Sequence, residues 1–338
     1  MNKMKTTFKL IAFLLFVSNI TVGQQTTTDF SKLKGPYLGQ TPPGLIPELF
    51  APGYISTRNT EWTLTFMPGG NEAYYTIQGL NSYNHLVCVK SVNGVWQQPE
   101  IALFSNPDHN ADPYISPDGK KLFFWSNGPE KAGEEAANNS DIWYVNRIGD
   151  GWSKPIRLDS TINTTSWQIF PTVASNGNLY FSSRYSDSKG GYDIYRCEFI
   201  NGKYAAPVNL GDSINTSMLE QEPFIAPDES YIIFGSDRHA PRSNNWDLYI
   251  SFRKKDGSWT TAVNMDDKIN SSAMDQAAIV TSDGKYLFFS SSRVKEYNPA
   301  SKDFNYKTVI EALSGPQNGN SDVYWVDAKI INELRPKK

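Results

Sequence analysis

The sequence predicts an all-β chain, a β-propeller of five four-stranded antiparallel blades whose ring is closed by a strand from its own N-terminal side. Three observations carry this: short aromatic-rich apolar runs such as Leu122-Phe123-Phe124-Trp125, recurrent Gly- or Asp-bearing turns, and a long internal period. Aromatic residues make up 13% of the 338-residue chain, a composition that strands favour.

The turns set the period. Ser116-Pro117-Asp118-Gly119, Ala174-Ser175-Asn176-Gly177, Ala226-Pro227-Asp228-Glu229 and Thr281-Ser282-Asp283-Gly284 are alike, with Met67-Pro68-Gly69-Gly70 a weaker copy. Equating Gly70, Gly119, Gly177, Glu229 and Gly284 gives steps of 49, 58, 52 and 55 residues, the size of a blade with variable loops.

Each copy reads as strands A to D. Strand A precedes the turn and strand B follows it, making a hairpin. Strand C opens on Asp at Asp141, Asp193, Asp247 and Asp322, with Leu86-Val87-Cys88 in the first copy. Strand D follows a second tight turn and reads Pro99-Glu100-Ile101, Pro155 to Leu158, Pro207 to Leu210 and Ala262 to Met265. The last copy lacks a strand D, and Pro47-Glu48-Leu49-Phe50 matches what is missing. A single propeller domain over 47–338 follows, with blades near 61–104, 110–159, 168–212, 220–267 and 275–327 and the closing strand at 47–50.

Ahead of it, Lys3, Lys5 and Lys9, the apolar stretch Leu10 to Val17 and the polar run to Gly23 read as a signal peptide over 1–23. That apolar stretch falls well short of the roughly 20 residues a bilayer span needs. Residues 24–46 form an N-terminal extension, and the mature chain is expected in the periplasm or outside the cell. A net charge of −3 without a Lys/Arg stripe argues against nucleic acid and anionic membrane as partners. Cys88 and Cys197 fall in strands of non-neighbouring blades and are expected as free thiols. A monomer is expected.

The Pro-Asp-Gly hairpins, Phe181-Ser182-Ser183-Arg184, Phe289-Ser290 to Arg293 and the Asp-Ile-Tyr opening of strand C resemble the WD-repeat-like propeller repeats of the TolB family. The resemblance spans Pro47 to Pro336. It implies the fold but not one activity, because similar repeats serve periplasmic scaffolds, peptidase-associated domains and polysaccharide lyases. TolB itself resembles a six-bladed propeller with an added N-terminal domain, and this chain departs from both.

Antiparallel order puts the D–A and B–C loops on one face, the top, and the A–B and C–D turns on the bottom. The bottom turns, short and Gly-bearing, read as structural, so function is expected on top. Two B–C loops are long: Asn127 to Ser140, and Val294 to Ser321, whose Tyr297, Phe304 and Tyr306 suggest a lid. Nine residues before each turn stand Glu61, Asn110, Gln168, Glu220 and Asp275, with Ile162-Asn163, Ile214-Asn215 and Ile269-Asn270 confirming the register. This ring is expected at the channel mouth, and strand alternation aims Asp112 and Glu222 the same way. It could cap strand A, hold a hard cation such as Ca²⁺, or receive a polar ligand. Arg184, Arg238 and Arg293 end strand B on that face and are expected to pair with Asp193, Asp247 and Asp322.

The preferred reading is a binding or scaffold module for a protein segment or an envelope or extracellular glycan. The alternative is a glycoside hydrolase or polysaccharide lyase whose candidate catalytic carboxylates are Asp112 and Glu222, since catalytic groups should break the repeat symmetry. His85, His109 and His239 lie in different blades, which leaves a multi-histidine metal site without support, and no Gly-x-Ser-x-Gly elbow is present.

Overall fold

The computed structural model describes residues 33–105, 109–128, 139–238, 246–295 and 305–335. Five small antiparallel sheets follow one another around a ring. After β1 (Glu48–Leu49), blade 1 holds β2 (Glu61–Phe66), β3 (Glu72–Gln78), β4 (Asn84–Val92), the hairpin extension β5 (Val95–Trp96) and β6 (Glu100–Ile101). Blade 2 holds β7 (Asn110–Ile115), β8 (Lys121–Ser126), β9 (Asp141–Ile148), β10 (Gly151–Trp152) and β11 (Ile156–Arg157). Blade 3 runs from β12 (Gln168–Val173) and β13 (Leu179–Ser183) to β14 (Asp193–Cys197), then the small hairpin β15 (Phe199–Ile200) and β16 (Lys203–Tyr204), then β17 (Val208–Asn209). Blade 4 comprises β18 (Glu220–Ile225), β19 (Tyr231–Ser236), β20 (Asp247–Phe252) and β21 (Val263–Asn264), and blade 5 β22 (Asp275–Val280), β23 (Tyr286–Ser291) and β24 (Asp322–Asp327).

The ring closes as the repeats predict. Strand β1 pairs antiparallel with β24, Glu48 opposite Trp325 and Leu49 opposite Tyr324, so it is the outer strand of blade 5. Phe50 continues the ladder by donating its N–H to the Val323 carbonyl at 2.8 Å. Its ring is fully buried against Phe66, Phe288 and Trp325, spanning blades 1 and 5. A closed ring leaves no strand edge to pair with another chain at the seam.

The described part of the extension adds a second closure that the repeat pattern does not announce. Tyr37 wedges between Phe66 of blade 1 and Tyr286 of blade 5, at ring separations of 4.9 and 5.0 Å. The Leu33 carbonyl accepts from Trp96 and the Gly44 carbonyl from Asp327, so Leu33 to Gly44 straps both blades. At the other end, the short helix Ile330–Glu333 buries Ile330 and Ile331 in the core shared with blade 4. Cys88 and Cys197 are free.

The motif Ile-Asn has a clear task. Asn163 pairs with both the N–H (2.8 Å) and the C=O (3.0 Å) of Ile142, in strand C of the preceding blade. Asn215 does so with Ile194 and Asn270 with Leu248. At the two junctions where the motif is missing, Ser56 brackets Val323 and Ser105 accepts from the Leu86 N–H. These side chains satisfy buried backbone groups that the blade wedge would otherwise strand.

The candidate site at the channel mouth

Glu61, Asn110, Gln168, Glu220 and Asp275 each begin strand A, and all five are fully buried. They do not present themselves to an incoming ligand. Glu61 accepts from the Thr57 N–H and hydroxyl (3.2 and 2.5 Å), Glu220 from those of Thr216 (both 2.7 Å), and Asp275 from those of Ser271 (2.6 and 2.8 Å). Gln168 makes the matching contacts with Thr164. Glu61, Gln168, Glu220 and Asp275 therefore fold their D–A loops back onto strand A, and the capping alternative describes what these four side chains contact.

The arginine pairing differs from expectation. Arg238 lies 2.9 Å from Glu220 and Arg293 3.1 Å from Asp275, so both serve the ring acids instead of Asp247 and Asp322. Each also donates to the carbonyl preceding the loop Asn, of Ile214 and Ile269. In blade 3 that carbonyl, of Ile162, is taken by the Tyr185 hydroxyl at 2.6 Å. Arg184 is one residue out of register, is exposed, and stacks 4.0 Å over Tyr192. A neutral Gln168 needs no guanidinium, which is the physical reason for the exchange. The Asp residues opening strand C instead tie C to D: Asp141 takes Arg157, Asp193 takes Asn209 and Asp247 takes Asn264, at 2.7 to 2.9 Å.

What faces the channel is the third residue of strand A. In every blade the A–B register shifts after the second residue. The third residue, Thr63, Asp112, Phe170, Glu222 or Ala277, takes a left-handed backbone with φ between 51° and 60°. Such a bulge breaks the two-residue alternation and turns that side chain inward. Asp112 and Glu222 thus reach the channel by a bulge and not by alternation with the ring. All five line a cavity of only about 10 Å³, room for about one water.

The two carboxyls are held by indoles. Asp112 Oδ1 accepts from Trp62 Nε1 and the Thr63 hydroxyl, both at 2.9 Å, and Trp125 Nε1 donates to its other oxygen. Glu222 Oε2 accepts from Trp246 Nε1 at 3.1 Å and the Ala277 N–H at 2.9 Å. Gly235 makes the latter site possible, because a Cβ there would overlap the Trp246 indole and crowd the carboxylate. Burial pushes Asp112 up to about 7. Burial, reinforced by the Asp112 charge, raises Glu222 to about 8.

Above the mouth Trp125 stacks with His109 (6.4 Å) and His109 with Tyr83 (4.5 Å). Trp167 and Tyr83 stand 42% and 43% exposed. Trp125 ends the apolar run of a strand B, whereas Tyr83, His109 and Trp167 sit singly in loops, where no periodicity marks them. On the blade 5 loop, the helix Tyr306–Leu313 buries none of its residues and Tyr306 is exposed; Tyr297 and Phe304 lie outside the described residues, as do 129–138 of the blade 2 loop, His239 and the expected signal peptide. Among the described residues no three His, Cys, Asp or Glu side chains converge as a metal site would require. No described helix is long and apolar enough to cross a membrane.

The fold and site define a five-bladed β-propeller with an aromatic-rimmed, acid-floored mouth. No protein-family profile matches the sequence, and no curated protein matches it. Among solved structures it is similar to a glycoside hydrolase at 11% identity, covering 91% of this chain and 94% of that one, TM-score 0.52. It is also similar to an alpha-L-arabinofuranosidase from Lactobacillus brevis (13%, 80% and 92%, TM-score 0.48) and to TolB from Acinetobacter baumannii (14%, 79% and 54%, TM-score 0.43). At 11% identity the likeness to the glycoside hydrolase speaks for the propeller fold and for nothing finer.

Proposed function

We propose that the chain is an exported binding propeller whose top face holds an envelope or extracellular glycan. The observation that carries this is the aromatic rim: the Tyr83–His109–Trp125 stack, Trp167, and the indoles of Trp62 and Trp246 beside two buried carboxyls. Rigid aromatic faces next to a few fixed polar groups suit a ligand with both C–H faces and hydroxyls. Because the channel has room for about one water, the proposed ligand lies on the rim. Calorimetric titration of the purified chain with plant, algal and bacterial-wall glycans tests it. Trp167→Ala and Tyr83→Ala should weaken the best ligand about tenfold or more without changing thermal unfolding. Unchanged affinity overturns the rim, and binding confined to a protein segment replaces the glycan.

One observation favours cleavage as a second reading. Asp112 and Glu222 line one cavity, break the five-fold repeat, and have acidities near neutrality, as an acid and base pair requires. That reading demands sugar release lost in Asp112→Asn or Glu222→Gln, and an inactive wild-type chain across the same panel rejects it.

A further inference from the structure

The bottom face, where the sequence suggests only structural turns, carries a cleft of about 510 Å³. That volume lies within the range of ligand pockets, roughly 300 to 1,000 Å³. It begins in the gap between blades 2 and 3, at Lys121, Phe199 and Tyr204, and reaches the lower channel mouth at Pro227 and Ser282. Pro117 and Phe123 make the blade 2 wall.

The charges in it are unequal. Asp118 is engaged by the Ser116 hydroxyl, the Lys120 N–H and, at 3.7 Å, the Lys120 ammonium. Lys121 has no acidic partner among the described residues. Its half-buried ammonium lies 4.7 Å from the centre of the Tyr144 ring and 5.7 Å from that of Phe199. The acid of the neighbouring turn, Glu229, is already matched by Arg196 and Arg253. The Tyr204 hydroxyl, also in the cleft, makes no hydrogen bond among the described residues. A cation held by two rings and an uncommitted phenol, both lining an apolar cleft, ask for a carboxylate on an apolar body. At about 510 Å³ the cleft has room for further residues of a peptide behind the carboxylate.

We infer that this cleft is a second binding site, one that captures the C-terminal end of a peptide whose last residue is apolar, with the terminal carboxylate on Lys121 and Tyr204. The inference is independent of the top-face reading. The test is calorimetric titration with the peptide Ac-Gly-Ser-Gly-Phe as free acid and as C-terminal amide, with N-acetylphenylalanine as a short control. The free acid should bind, and the amide, or Lys121→Met with the acid, should bind about tenfold or more weakly. Tyr204→Phe should weaken the acid alone, and Trp167→Ala should change nothing. Each variant is checked for an unchanged unfolding midpoint. Equal binding of acid and amide, no binding by either, or N-acetylphenylalanine binding as tightly as the peptide each overturn the proposal.

Discussion

Arg238 Nη2 sits 2.9 Å from Glu220 Oε1, and the same guanidinium donates to the Ile214 carbonyl, so one side chain neutralises a sealed acid and anchors the loop between blades 3 and 4. Removing one partner of a buried pair leaves the other charge without compensation, at a cost of about 3–5 kcal/mol. Arg238→Met should lower stability by about that amount in urea unfolding, and adding Glu220→Gln should recover part of the loss. A loss in the double variant equal to the sum of the losses in Arg238→Met and Glu220→Gln alone would mean that the pair is uncoupled.

Glu61 occupies the same ring position without an arginine, and burial drives it up to about 7. With Asp112 at about 7 and Glu222 at about 8, three acids have folded-state values above their ordinary 4.5, 3.8 and 4.5. The folded chain then holds these protons more tightly than the unfolded one. The stability they contribute is present below about pH 4 and lost as pH rises through about 7 to about 8. The melting midpoint should fall across that window, and Glu61→Gln should flatten its share. A midpoint rising from about pH 5 to about pH 9 in the wild type contradicts this.

Glu229 stands at φ 56° where the equivalent turns use Gly70, Gly119, Gly177 and Gly284. A left-handed conformation costs a non-glycine residue about 1 kcal/mol. The carboxylate offsets that by accepting from Tyr180 (2.7 Å), Asn178 (2.8 Å) and Arg253 (2.6 Å). Burial alone would raise its acidity value; these donors outweigh burial and hold it at about 2. Its contribution is present above pH 4.5 and lost as pH falls toward about 2. Glu229→Gly should therefore destabilise by about 1–3 kcal/mol at neutral pH despite relieving the backbone, and the gap to wild type should shrink in acid.

Phe50→Ala tests the seam. Emptying a fully buried phenylalanine site costs about 3–5 kcal/mol, and here it also loosens β1 from β24. Limited proteolysis should then cut the variant between Gly44 and Thr57 before it cuts elsewhere. A wild-type midpoint and cleavage pattern would show that the strap through Tyr37 closes the ring unaided.

Much of this architecture was legible in the residues. Turn chemistry and the Asp that opens strand C are local signals, and their period located the blades and the closing strand. The Ile-Asn motif was legible as a register mark, while its use in bracketing strand C of the neighbouring blade was not. Ser56 does the same work with a different side chain and Ser105 does half of it, at the Leu86 N–H, so the pattern faded where the function persisted. Arg184 misled because it adjoins the equivalent position, held by Tyr185, and only the hydrogen bond to Ile162 exposes the offset.

The sequence by itself determined five blades, their order, the closure by Pro47 to Phe50, and the two symmetry-breaking acids, because period, turn preference and strand composition are properties of neighbouring residues. Only the tertiary structure decided where those acids point. A left-handed bulge at the third residue of strand A meets contacts from the preceding blade, Trp62 to Asp112 and Glu222 to the Ala277 N–H, which no local pattern encodes. The same holds for the bottom cleft, whose walls come from blades 2, 3, 4 and 5 and exist only once the ring has closed.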